Sequence, residues 1–442
     1  MTATLTPAGH PTAAAVAAAT PAHRDRYVDF LRAFSLCVVM FGHWLMAVVV
    51  WSGDGSLHTS NILEVSPWAR WLTWVFQILP VFFVVGGFSN TASWTAARRD
   101  GRSYGTWLGA RLARLVRPVL AFTVVWTAGA VSLRIAGVAP SSLRAGAIAQ
   151  PLWFLAIYVA VVAVAPAMAR CGWVAVPVLG AAVAAVDAAA WAFGVPYVVW
   201  LNMALVWLFV HQLGVLWRQR GGTWSRRRGA VLALAGFAGL LCLTHLAGYP
   251  ESMVGGVGEA RSNMFPPSLA IVALAVWQFG LALSLRPVVD RWLARPRAWK
   301  AVVTANGLAM TLYLWHLTAL TIVAVAVLPT GLFPQPGAGS ASWWALRPLW
   351  IALLAVALVP LVLVFSRFET ARIEPAKPAA WPAGVAALLV VVAMGFLARR
   401  GFVAPGMPLG LPLVPLAALG TAWWTLTRSG VATEATPSRS LP

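Results

Sequence analysis

Long apolar runs separated by short polar segments follow one another along the chain. Each run is about 20 residues long, the length that an α-helix needs to cross the hydrocarbon core of a bilayer. We find no pattern that favours strands, so the chain is predicted to be all-α. The runs predict about twelve transmembrane helices, near residues 27–51, 72–95, 118–138, 152–169, 172–191, 197–217, 230–247, 267–285, 301–328, 344–366, 382–398 and 407–427.

Composition agrees with an all-α integral membrane protein, a polytopic helical bundle. Hydrophobic residues make up 60% of the 442 residues and charged residues only 10%, whereas a soluble domain is about 25% charged. The net charge of +20 would suggest nucleic acid as a partner in a soluble protein. Here the basic residues lie between apolar spans, where they set topology, so we expect membrane lipids and no nucleic acid as partners.

The distribution of basic residues predicts the orientation. Most of the 32 lysines and arginines fall in segments on one side of the twelve spans, and such segments stay in the cytoplasm. We therefore expect a multi-pass protein of the plasma (inner) membrane with both termini cytoplasmic. Residues 1–23 and 431–442 have a polar, Ala-, Thr-, Pro- and Ser-containing composition and are predicted to be disordered tails.

The first predicted span carries three ionisable residues. Arg32 precedes His43 by eleven residues, so at about 100° per residue they point within about 20° of each other, about 16 Å apart along the helix. Asp29 is three residues before Arg32 and can pair with it. Charged groups in a span normally face the protein interior or a wet cavity, which favours a functional face. The pattern is equally compatible with an interfacial ion pair and a packed polar histidine.

Several segments resemble the membrane acyltransferase family three. They are "DFLRAFSLCVVMFGH" (29–43), "PVFFVVGGF" (80–88), "RLARLVRP" (111–118), "PLWFLAIYV" (151–159) and "YLWH" (313–316). In that family an arginine is followed eleven residues later by a histidine, as Arg32 is by His43. The resemblance implies an acyltransferase domain of ten helices at 24–370, followed by two additional helices at 371–430 that it leaves unexplained.

The resemblance also implies a reaction, the transfer of an acyl group, usually acetyl. The donor is acetyl-CoA or another acyl-CoA at the cytoplasmic face, the acceptor is a hydroxyl of a carbohydrate, glycolipid or envelope polymer, and no metal is expected. A neutral imidazole suits the removal of the hydroxyl proton, so His43 is the candidate base. Arg32 would orient the donor, and Asp29 would hold Arg32. His316 is a second catalytic candidate, and a purely structural helix contact is as plausible for it.

Other candidate residues concern the donor and the acceptor. Arg111, Arg114 and Arg117 recur every three residues and could bind the phosphates of coenzyme A, or could merely anchor the helix on the cytoplasmic side. The resemblance singles out Trp153 and Tyr313, which we expect near the substrate. Asp187 is an isolated acid in an Ala-rich span and is expected to pair with a basic residue.

Two other functions are open at this point. A twelve-helix secondary transporter would explain the helix count and the intramembrane charges, but it predicts related halves, and no clear repeat is present. A non-catalytic envelope assembly factor would leave the face of Arg32 and His43 without a use.

Overall fold

The computed structural model describes residues 20–21, 24–53, 56–136, 148–255, 261–370, 377–402 and 412–428. The α-helices are α1 Arg26–Met46, α2 Ile62–Val65, α3 Thr73–Phe76, α4 Leu79–Arg99, α5 Tyr104–Ile135, α6 Leu152–Cys171, α7 Ala175–Trp191, α8 Asn202–Gln219, α9 Arg226–His245, α10 Leu269–Leu293, α11 Pro296–Gly307, α12 Ala309–Val327, α13 Ala341–Phe365, α14 Arg367–Thr370, α15 Ala380–Arg400 and α16 Leu413–Arg428. The strands are β1 Ala47–Trp51 and β2 Leu57–Asn61. The predicted tails lie outside the described residues, apart from Thr20 and Pro21.

The predicted class, an all-α polytopic membrane protein, is confirmed. In the described part of the chain, ten helical stretches are long and apolar enough to cross a membrane. One of them, Leu152–Trp191, contains two predicted spans, because a 3₁₀ turn at Gly172–Val174 separates α6 from α7. The last predicted span is the shorter apolar helix α16. These two features account for the difference between the ten helical stretches and the twelve predicted spans.

Three predicted boundaries are wrong. The first span ends at Met46, and the valines that follow form β1, which pairs antiparallel with β2. Val48–Val50 are apolar and so extend the hydrophobic run, but their β-branched side chains favour a strand. The third span starts as a helix at Tyr104, and the ninth is divided into α11 and α12 at Leu308.

Glycines allow close contact between helices at the centre of the bundle. A Cβ on Gly87 of α4 would lie 2.0 Å from the backbone oxygen of His211 on α8, and one on Gly214 of α8 would lie 1.8 Å from the oxygen of Val84. Small residues at such contacts are typical of membrane helices, which gain stability from van der Waals packing. Helix α1 packs against α4, α10, α12 and α13, so its polar residues are enclosed by the bundle.

The two additional C-terminal helices are packed against the rest of the protein. Helix α15 contacts α5 and α6, and α16 contacts α5. A Cβ on Gly105 of α5 would lie 2.2 Å from the backbone oxygen of Pro378. The ring of the buried Phe402, which follows α15, lies 5.7 Å from that of Phe122 on α5. Helix α5, which carries the predicted arginines, is thus covered by this extension.

Candidate active site

Two histidines from distant parts of the chain meet in the bundle. His43 lies in the last turn of α1 and His316 lies two turns into α12. His43 Nδ1 is 2.8 Å from His316 Nε2, and the two rings are nearly parallel, with centroids 5.1 Å apart and 17° between their planes. His316 is fully buried, whereas His43 is half-buried. The sequence indicated each histidine separately but not their contact.

The surrounding hydrogen bonds fix the proton positions in this pair. His316 Nδ1 lies 2.6 Å from the carbonyl oxygen of Tyr313. A carbonyl oxygen only accepts, so Nδ1 of His316 carries the hydrogen and its Nε2 is the acceptor. His43 must then donate from Nδ1, which leaves the lone pair of its Nε2 free. The indole of Trp44 donates to the backbone oxygen of His316 at 2.9 Å and ties α1 to α12 beside the pair. This arrangement presents one basic nitrogen, Nε2 of His43.

Arg32 and Asp29 form the predicted ion pair at the opposite end of α1. Arg32 Nη1 is 3.1 Å from Asp29 Oδ1, and Arg32 Nη2 donates to the hydroxyl of Ser89 on α4 at 2.7 Å. Asp29 also accepts from Nε of Arg24 at 2.5 Å. Because α1 is continuous between them, Arg32 and His43 keep the helical spacing that places them on one face.

A cavity of about 460 Å³ opens beside Arg32. Its described lining contains four arginines and no acidic residue; the polar and aromatic members are Arg32, Arg102, Arg111, Arg114, Ser89, Ser93, Trp107 and Tyr158. Arg32 pairs with Asp29, and Arg102 pairs with Asp100 at 2.6 Å. In the described part of the chain, Arg111 and Arg114 have no carboxylate partner. The cavity therefore carries an excess of positive charge and suits an anionic ligand.

Arg111 is held in place by neutral groups. Its Nη2 donates to the hydroxyl of Ser93 and to the backbone oxygen of Ser89, and its guanidinium lies 5.1 Å from the ring of Trp107. The third predicted span begins only at residue 118, after this arginine, whereas in the structure Arg111 is half-buried within α5. Arg117 does not belong to the cavity lining, because residues spaced by three drift by about 60° per step around a helix, so the third is turned away from the first.

Aromatic side chains connect the cavity to the histidine pair. Tyr158 of the cavity packs on Phe82 at 5.4 Å, and Phe82 packs on Phe154 at 5.1 Å. Phe154 lies 5.5 Å from Tyr313, whose ring is 6.0 Å from that of His316. The contacts form a continuous chain of aromatic rings from the cavity to the histidine pair.

Of Trp153 and Tyr313, the two residues singled out by the resemblance, Tyr313 contacts the histidine pair. Tyr313 is buried and supplies its backbone oxygen to His316, while its hydroxyl donates to the oxygen of Pro151 at 2.9 Å. Trp153 instead packs on Phe265 at 5.9 Å. Tyr313 thus positions His316 through its main chain, which the residue type alone does not reveal.

Asp187 does not pair with a basic residue, contrary to our expectation. Its carboxylate accepts from the amide of Asn202 at 2.8 Å, from the hydroxyl of Tyr249 at 3.0 Å and from the backbone N–H of Leu269 at 2.8 Å. These neutral donors satisfy the buried acid, and they join α7, α8 and the start of α10. Asp187 has a structural role away from the histidine pair.

A known protein family matches most of the chain. Residues 25–367 match the model of the acyltransferase domain that defines acyltransferase family 3. The match begins just before α1, ends at the start of α14, and includes both histidines and the arginine cavity. No curated protein and no solved structure gives a match.

Proposed function

The chain belongs to acyltransferase family 3 and is a membrane acyltransferase, and we propose that it moves an acyl group, most simply acetyl, from cytoplasmic acyl-CoA to a hydroxyl of a sugar, glycolipid or envelope acceptor. The observation that carries this proposal is the hydrogen-bonded histidine pair, which leaves one basic nitrogen on His43. Because the family is one of acyltransferases, we prefer this function over the secondary transporter and the non-catalytic assembly factor.

The arginine cavity supports an acyl-CoA donor. Coenzyme A carries several phosphate charges, and planar guanidinium groups bind phosphate oxygens through two parallel hydrogen bonds. Arg111 and Arg114 have no carboxylate partner among the described residues and would hold those phosphates. His43 lies about 16 Å farther along α1 than Arg32, in the direction in which a long pantetheine arm would carry the thioester.

The proposed reaction requires a base that takes the proton from the acceptor hydroxyl and then returns it to the leaving sulfur. Nε2 of His43 takes the proton from the acceptor hydroxyl while the oxygen attacks the thioester carbonyl. The tetrahedral intermediate then collapses, the carbon–sulfur bond breaks, and the leaving sulfur takes the proton from His43. The products are an ester and free coenzyme A, so atoms and charges balance. His316 keeps Nδ1 of His43 engaged throughout and stabilises the transient imidazolium.

Purified protein with acyl-CoA and a panel of acceptors tests this proposal. We expect His43→Ala and His43→Gln to abolish acyl transfer, because neither side chain can accept the proton at neutral pH. Both variants should bind donor normally, since the phosphates lie at the other end of α1. His245→Gln, at an exposed histidine, is the control. Near-normal transfer by folded His43→Ala would refute the role of this residue.

The orientation needs its own experiment, because donor access depends on it. Cysteine labelling in a background without Cys37, Cys171 and Cys242 would use the exposed positions Thr223 and Leu332. We expect the cysteine at position 223 to be labelled only from the cytoplasm and the one at position 332 only from outside. The opposite result would place the arginine cavity on the wrong side for acyl-CoA.

A further inference from the structure

Arg347 is a buried cation that the proposed mechanism does not use. It lies in the second turn of α13 and is only 8% exposed. Its guanidinium is 3.9 Å from the ring of Trp343 and 5.5 Å from that of Trp350. The one hydrogen bond that the structure gives it runs from Nη1 to the oxygen of Ala47 and is long, at 3.5 Å. In the described part of the chain, its enclosed Nε has no hydrogen-bond partner and no carboxylate pairs with the guanidinium.

The position of Arg347 relates it to the histidine pair. Ala47 caps the C-terminus of α1, and its N–H donates to the oxygen of His43. The guanidinium that contacts Ala47 is therefore about one helical turn beyond His43, on the side away from Arg32. Helix α13 also packs against α12, which carries His316. The histidine pair thus lies between two cationic groups: the arginine cavity on the donor side and Arg347 on the opposite side.

A purely structural role explains only part of this environment. A charged residue in a span is costly, and such a residue is a candidate for function. The contact with Trp343 and the bond to Ala47 offset some of the cost and would fasten α13 to the end of α1. They leave Nε enclosed without an acceptor, although an unpaired buried donor is itself unfavourable. Among the described residues, no anionic group pairs with this guanidinium.

We propose that Arg347 binds an anionic group, a carboxylate or a phosphate, of the acyl acceptor. This inference rests on the proposed function and adds the class of acceptor, an acidic one. A guanidinium binds such a group through two parallel hydrogen bonds. With its anion held one turn beyond His43, the acceptor can present a hydroxyl to Nε2 of His43 from the side opposite the donor.

Matched acceptors test the proposal in purified protein. Glucose, glucuronic acid and glucose 6-phosphate differ in the anionic group, and the two acids distinguish a carboxylate from a phosphate. We expect kcat/KM for one acidic sugar to exceed that for glucose by roughly tenfold to a hundredfold, the value of a charge-assisted hydrogen bond. Arg347→Gln should remove this preference by raising KM for the acidic sugar much more than KM for glucose.

Two further variants separate charge, geometry and folding. Arg347→Lys keeps the charge without the planar fork, so we expect an intermediate preference. Arg261→Gln is the matched control, because Arg261 is an exposed arginine that lies 5.0 Å from the ring of Trp191. Its preference should equal that of the wild type. Thermal unfolding of each variant verifies the fold.

Binding without turnover keeps this proposal distinct from the proposed function. Glucuronic acid or glucose 6-phosphate should raise the unfolding temperature of the wild type more than glucose does, and Arg347→Gln should lose this difference. Equal stabilisation by all three sugars would overturn the proposal, as would an equal loss of glucose and acidic-sugar turnover in folded Arg347→Gln. If the wild type binds the acidic sugar selectively but transfers to no acceptor, the proposed function fails and the anion site stands.

Discussion

Removal of His316 should slow acyl transfer without stopping it. In the transition state His43 gains a proton, so its bond from Nδ1 to His316 Nε2, 2.8 Å long, becomes charge-assisted. Such a bond contributes about 1.5–3 kcal/mol, and about 1.4 kcal/mol corresponds to a tenfold change in rate. We therefore expect His316→Ala to lower kcat by roughly tenfold to a hundredfold. His316→Gln, which can still accept from Nδ1, should lose less, and His43→Ala should lose at least the 10²–10⁴ that a general base typically contributes.

The assay is single-turnover transfer at saturating acyl-CoA, with donor affinity measured separately. Donor affinity should stay at the wild-type value in the His316 variants, because the arginine cavity is distant from the pair. The double variant His43→Ala/His316→Ala should be no slower than His43→Ala, since His316 acts only through His43. A folded His316→Ala protein with kcat within twofold of the wild type would refute the coupling. So would a double variant in which the two losses multiply.

Three further predictions follow from individual contacts. Arg111→Ala should weaken acyl-CoA binding by roughly tenfold or more, whereas the exposed Arg99→Ala should not; equal dissociation constants would leave Arg111 as an anchor. Burial raises the pKa of Glu369, so its contribution to the free energy of unfolding is complete below about pH 4.3, the ordinary glutamate pKa. This contribution is lost as pH rises through the raised pKa. Thermal unfolding at a series of pH values should show this dependence, and Glu369→Gln should remove it. Asp187→Ala should destabilise the protein by about 3 kcal/mol or more, because three donors lose their acceptor, and an unchanged unfolding temperature would contradict this.

The first helix shows what could be predicted from the sequence. Helical periodicity relates nearby residues, so it placed Arg32 and His43 on one face and paired Arg32 with Asp29, as the structure has them. Hydrophobicity also identified the spans, but it could not distinguish the end of α1 from β1, since valines satisfy both. The predicted boundaries were wrong where an apolar run continued although the backbone conformation changed.

Contacts between distant segments had no signal in the sequence. His43 and His316 are 273 positions apart, and no local pattern shows that two helices so separated are neighbours. The same holds for Asp187, whose donors come from α8, the loop before α10 and the start of α10. Charge patterns predicted a basic partner for Asp187, whereas the bundle satisfied it with neutral donors.

The residues beyond the family match show why that match alone does not describe the site. Glu369 lies just beyond the matched residues, and its carboxylate accepts the backbone N–H groups of Met310 and Thr311 at 3.0 and 2.9 Å. It thereby caps the N-terminus of α12, the helix that carries His316. Farther along, Pro378 packs against Gly105 of α5, the helix that carries the cavity arginines. Residues beyond the family match therefore contact both helices that the proposed reaction needs in register: Glu369 of α14 contacts α12, and Pro378, just before α15, contacts α5. Because α15 and α16 also pack against α5, we infer that they stabilise this helix rather than forming an independent unit.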